Sequence, residues 1–264
     1  MKVFPTLIFL FFSFSNNAQE INHQEKLDSI LQEANLLYNY EKAVWNASDL
    51  LIDNRKLRKK NGGYVVFHKE DSIWVSFFDK DHESIIARFH FVNKDMEKPF
   101  LAKLEESAAQ EKENELLRIK NLIIEELGHE KYELSFPKSY NPNLILIPEN
   151  QYYKLYIIMG TSSEGIVPFG NDYLFWADKK GEIFKWHKFH SKLIPARSEI
   201  PGVGTVVSET HSHLRSTPYI TATDICTFRL YAKYTELESF SVYSPALKTT
   251  FIYFLKGNSL KVED

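Results

Sequence analysis

Glu209-Thr210-His211-Ser212-His213, followed after a gap of seven residues by Thr221-Ala222-Thr223-Asp224, is the stretch on which the reading of this chain turns. Side chains alternate along an extended strand, so histidines at i and i+2 present both imidazoles to one face. An aspartate at the entrance of the next helix closes the triangle. Three such ligands, His211, His213 and Asp224, with an open fourth position are the pattern of a catalytic rather than a structural zinc site. The same Thr221 to Asp224 segment also reads as a capping-box variant, with Thr221 at N-cap and Asp224 at N3. Cap and ligand roles are compatible.

The rest of the chain sets the context. Its 264 residues suffice for one large domain or two small ones, and 44% hydrophobic with 14% aromatic content supports a folded, strand-rich core. A net charge of -3 gives no basic footprint for nucleic acid. Lys2 followed by the apolar run Leu7-Ile8-Phe9-Leu10-Phe11-Phe12 and the polar, small residues up to Ala18 reads as a signal peptide over 1–19. The run is too short to span a bilayer, which implies export without a membrane anchor after cleavage. Cys226 is the only cysteine, so no intramolecular disulfide forms, and its apolar surroundings suit a small buried hydrophobe.

Leu27, Ile30, Leu31, Ala34, Leu37 and Tyr38, continuing to Val44 and Leu51, fall at helical spacing. The basic run Arg55 to Lys60 reads as a solvated helix end. Tyr64 to Val92 predicts a three-stranded meander, with His90 on the strand surface. Leu101, Leu104, Ala108 and Leu116 through Leu127 predict one long helix ending before Gly128. Helix, meander and helix define an N-terminal α+β module over 20–130. The prolines between Tyr132 and Gln151 mark a boundary, and a second domain occupies 150–264. It opens with a strand, Leu155 to Met159, and continues through a hairpin, Tyr173 to Trp186, to the histidine strand. A helix from about Asp224 to Tyr234 and a closing hairpin complete it. His187 and His190, interleaved with lysines, read as a solvated strand. Gly-rich phosphate loops, a serine nucleophile elbow and Cys-x-x-Cys are missing from the sequence.

His211-Ser212-His213, seven residues, Thr221, two residues and Asp224 resembles the metal motif of the JAMM (MPN-type) metalloprotease family, with threonine where the family has serine. The resemblance covers about the last hundred residues. It implies a JAMM-like α/β domain, layered as in cytidine deaminases, in which His211, His213 and Asp224 bind Zn²⁺. It further implies amide-bond hydrolysis of a peptide or protein by a metal-activated water, with Thr221 polarising the scissile carbonyl and an upstream glutamate as general base. Glu164, in a Gly-flanked loop, is the candidate for that base; Glu209, which shares the parity of both histidines, and Asp172 are alternatives. The expected function is therefore an exported zinc-dependent peptidase or isopeptidase. The competing expectation is a non-catalytic exported interaction protein on the same scaffold. Substrate identity and oligomeric state are not encoded in any motif.

Overall fold

A computed structural model describes residues 23–92, 95–202 and 204–263; the signal segment expected over 1–19 lies outside them. The chain is mixed α+β. The described residues open with α1 (His23–Asp53), whose apolar stripe from Leu27 to Leu51 is buried, and a short α2 (Arg55–Lys60) capped by Asn54. The β-branched and aromatic runs that follow form β1 (Asn61–Lys69), β2 (Ser72–Asp79) and β3 (Ser84–Val92), paired antiparallel.

Two expectations fail in the next stretch. β4 (Leu101–Lys103) and β5 (Ser107–Ala108) both pair with β3, so the meander is a five-stranded sheet. The helix α3 (Glu111–Glu126) begins ten residues later than the spacing from Leu101 suggests. Gln110 and Glu113 form a capping box that fixes its start. The Glu113 carboxylate also receives Arg88 from β3 in two bonds of 2.7 Å. His90 is on β3 as expected but is buried, with its ring stacked 3.7 Å from that of Trp74.

The proline-marked region contains β6 (Asn141–Pro148), an edge strand with Pro142 and Pro148 near its ends, where a missing N–H is tolerated. It is followed by β7 (Tyr153–Gly160), β8 (Ile166–Gly170), β9 (Tyr173–Ala177), β10 (Ile183–Lys188) and β11 (Leu193–Arg197). A sheet of order β10-β9-β7-β6 contains the expected hairpin, while β11 pairs with β8. A small hairpin of β12 (Glu199–Ile200) and β13 (Gly204–Thr205) leads to β14 (Ser208–Ser212). Next come α4 (Ala222–Tyr231), β15 (Ser239–Ser244), β16 (Thr249–Phe254) and β17 (Ser259–Glu263), in a sheet of order β14-β15-β16-β17.

β14 and β15 are parallel, so α4 is the crossover between them. The carboxyl end of β14 and the amino end of α4 therefore meet, the place where open α/β sheets hold their ligands. α4 is buried on nearly every side, packed between α1 and β8. Two apolar clusters make the core, and each draws residues from both sides of the 130–150 region. No helix among the described residues is long and apolar enough to cross a membrane.

Candidate metal centre

His211 is the penultimate residue of β14, in ladder register with Val242, and His213 keeps that direction one step beyond the strand through its N–H to the Tyr243 carbonyl at 3.0 Å. Their parity places both imidazoles on the face turned to α4. Asp224 is the third residue of that helix. Its Oδ2 closes the capping box, accepting from the Thr221 N–H at 3.0 Å and the Thr221 hydroxyl at 2.6 Å. Its Oδ1 has no partner. The cap thus turns one carboxylate oxygen inward and leaves it free.

A third imidazole joins them. His190, Nε2 first, stands 2.9 Å from His213 Nε2 and 3.4 Å from Asp224 Oδ1. The solvated-strand reading of His190 is wrong: it is buried, because β10 ends at Lys188 and the chain then bends inward over Asp172. His187, three residues earlier, is half-buried and bonds Thr217 Oγ1 at 2.9 Å, away from the group. His190, His211, His213 and Asp224 offer one ligand atom each within 4.8 Å of one another, and together they can hold a metal ion.

The tautomers are set by what lies behind each ring. His213 Nδ1 faces the Tyr219 carbonyl at 2.7 Å, His190 Nδ1 faces Asp172 Oδ1 at 2.7 Å, and His211 Nδ1 faces Glu209 Oε2 at 3.2 Å. Carbonyls and carboxylates only accept, so each Nδ1 carries a hydrogen, and Nε2 is the nitrogen that each ring, when neutral, turns inward as a donor to a metal. Such backing is the usual support of metal-binding histidines. The buried His211 Nε2 and Asp224 Oδ1 both lack hydrogen-bond partners and stand 3.8 Å apart. Orphaned buried acceptors cost about 1–3 kcal/mol each, and two neutral rings would set lone pairs 2.9 Å apart at His190 and His213, a repulsion that a proton on His190 or a metal ion relieves. A cation among them removes both penalties, so the residues fit a metal.

Electrostatics point the same way. Burial disfavours the charged form of His190, yet Asp172 and Asp224 outweigh it and push its pKa up to about 9. Burial likewise opposes ionisation of Asp224, but the facing His190, His213 and His211 hold its carboxyl well below the usual carboxylate range. The group is a pocket built for positive charge. It opens onto a cleft of about 410 Å³ whose walls include His190, Lys192, Ile194, His211 and Leu214.

The other expected residues fall in different places. Thr221 is the helix cap, its hydroxyl committed to Asp224. Glu209 is behind His211, on the ring edge opposite Nε2. Asp172 is buried behind His190, and its second oxygen accepts from the Thr223 hydroxyl. Glu164 is exposed in the turn before β8 and is not among the converging groups. Cys226 is fully buried in α4, as its surroundings suggest.

Fold and site together define an α+β protein with a buried three-histidine, one-aspartate group able to hold a metal ion at a strand–helix junction. No protein-family model, curated protein or solved structure matches the chain.

Proposed function

We propose that this chain is an exported zinc-dependent hydrolase of the JAMM type, acting on an amide bond in a peptide or protein. The observation that carries the reading is the pair of orphaned buried atoms, His211 Nε2 and Asp224 Oδ1, beside imidazoles whose other nitrogens are all tied to acceptors. Zn²⁺ suits an imidazole and carboxylate donor set, and when bound it lowers the pKa of a coordinated water towards about 7 and polarises a carbonyl. The chain's own contribution is orientation. Glu209 and the Tyr219 carbonyl fix the rings of His211 and His213, and Thr221 aims Asp224. The cleft between the 190–194 and 211–214 segments gives an extended substrate access, with Lys192 supplying positive charge at its wall.

A second reading is favoured by one specific contact. His190 offers a fourth donor beside His213 and Asp224, and a site closed by four protein ligands would suit a non-catalytic exported interaction protein whose metal serves structure alone. Two measurements on the purified mature chain separate the readings. The hydrolase predicts one equivalent of zinc, lost in His211→Ala, and zinc-dependent cleavage in a peptide library. Zinc without cleavage supports the structural reading, and a chain without affinity for zinc at neutral pH contradicts both.

A further inference from the structure

We infer that His190 is a fourth protein ligand of this centre, completing a His₃Asp site that is shut to water at rest. The inference rests on the metal-binding reading above and goes beyond the three ligands and open corner that the motif implies. Four protein ligands at rest favour the non-catalytic reading unless His190 yields its place to water during turnover.

Distance separates a ligand from a neighbour. Donors about 2.0–2.1 Å from a tetrahedral zinc stand roughly 3.3 Å from one another. His190 Nε2 is 2.9 Å from His213 Nε2 and 3.4 Å from Asp224 Oδ1, while His213 Nε2 is 3.2 Å from Asp224 Oδ2 and His211 Nε2 is 3.8 Å from Asp224 Oδ1. The three spacings among the inward-facing atoms, 2.9, 3.4 and 3.8 Å, bracket a ligand edge, and the 3.2 Å contact of His213 is with the capped Oδ2. A group that held a metal-bound water by hydrogen bond would stand one further shell away, about 2.7–3.0 Å beyond the water. His190 is too close for that role.

The segment bearing His190 is built rather than loose. The Phe189 N–H donates to the Asp172 carbonyl at 3.1 Å, and the Asn171 N–H donates to the Lys192 carbonyl at 3.1 Å, so the bend is clamped at both ends to one turn. That turn needs Gly170, at φ +77, where a Cβ would come within 2.4 Å of the Lys192 carbonyl oxygen. Asn171 follows in the left-handed region at φ 51, and its side chain donates to the Ser135 carbonyl at 2.7 Å. Asp172 then grips His190 Nδ1 and is itself held by Thr223 in the first turn of α4. One carboxylate thereby links the His190 bend to the helix that carries Asp224. This is the outer support expected of a resident ligand.

The direct test is zinc K-edge X-ray absorption on the wild-type protein loaded with one equivalent of zinc. Four nitrogen or oxygen donors with the outer-shell scattering of three imidazoles are expected. Two imidazoles would overturn the ligand role of His190 and leave the hydrolase reading standing; failure to take up zinc would overturn both. Cobalt substitution gives an independent readout. The visible spectrum of the wild-type cobalt protein should be unmoved by azide, whereas His190→Gln should keep cobalt and gain an azide-dependent shift. An azide response already present in the wild type, or a spectrum unchanged by the substitution, would count against closure. Asp172→Asn should weaken zinc binding by about 10–100-fold while keeping the three-imidazole signature. Should His190→Gln fail to fold, the wild-type measurements alone decide.

Discussion

Thr221 holds the first turn of α4 and the Asp224 carboxylate with one hydroxyl. It accepts from the Asp224 N–H at 3.1 Å and donates to Asp224 Oδ2 at 2.6 Å. Removing an N-cap hydroxyl costs about 1 kcal/mol, so Thr221→Ala should lower the urea-unfolding stability by that amount, and Thr221→Ser should restore it. The same change leaves Asp224 Oδ2 only the Thr221 N–H of its two Thr221 bonds, and loss of such outer support weakens metal binding by about 10–100-fold. Zinc titration of both variants should show the loss in alanine and not in serine; equal affinity would mean that the cap does not aim the ligand. His211, His213 and Asp224 were visible in the sequence because a strand repeats every two residues and a helix entrance has a signature of its own. His190 was not visible. Its parity is lost where β10 stops at Lys188, and its partner Asp172 is joined to it by a turn that only the fold supplies. Glu164 had the right residue type in a plausible loop, but sequence distance carries no information on which way that loop faces.

At the scale of elements, the longest misreading has a definite cause. Leu101, Leu104 and Ala108 fall at helical spacing, yet Leu104 is exposed and β4 and β5 add to the edge of β3 instead. The helix waits for Gln110 because Glu113 is needed at N3, where it caps the helix and receives Arg88 and Ser76. Periodicity cannot show a buried ion pair between elements twenty-five residues apart. Glu113→Ala leaves the guanidinium of Arg88 buried without its partner, which typically costs about 3–5 kcal/mol. Chemical denaturation should show a loss of that order, and the double variant Arg88→Met with Glu113→Met should recover much of it. A loss under 1 kcal/mol, by contrast, would mean that water replaces the pair. Burial works against ionised Glu113, but its bonds from Arg88, Ser76 and the Gln110 N–H prevail and lower its pKa. A lowered carboxylate pKa stabilises the folded chain above the ordinary value near 4.5 and loses that stabilisation as pH falls through the folded value. Glu113→Gln should therefore flatten the acid limb of the stability curve.

Across the whole molecule, the helix that carries Asp224 leans on α1. Arg229 of α4 donates to Asn35 of α1 at 2.6 Å and lies 3.8 Å from the centre of the Tyr38 ring, while Lys154 pairs with Glu33 at 2.6 Å. Both apolar clusters cross the proline-marked region, so unfolding of either half exposes the core of the other. A further junction lies at Tyr64 of β1, whose hydroxyl donates to the Leu144 carbonyl of β6 at 3.2 Å and whose own carbonyl accepts from Lys120 of α3 at 3.2 Å. Glu41 of α1 is buried near that lysine, with Oε1 lacking a partner. Burial raises its pKa from 4.5 to about 7, against the pull of Lys120. The folded chain therefore binds this proton more tightly than the unfolded chain, and the contribution of Glu41 to stability falls as pH rises from about 4.5 to about 7. At about 1.36 kcal/mol per pKa unit, the rise amounts to roughly 3 kcal/mol across that window. Glu41→Gln keeps the shape and removes the titration. Stability measured by denaturant across this range should decline more steeply in the wild type than in the variant, and the two should differ most above neutral pH. Parallel curves would show that Glu41 is already ionised in the folded state, with Lys120 neutralising it across the junction between α1, β1 and α3.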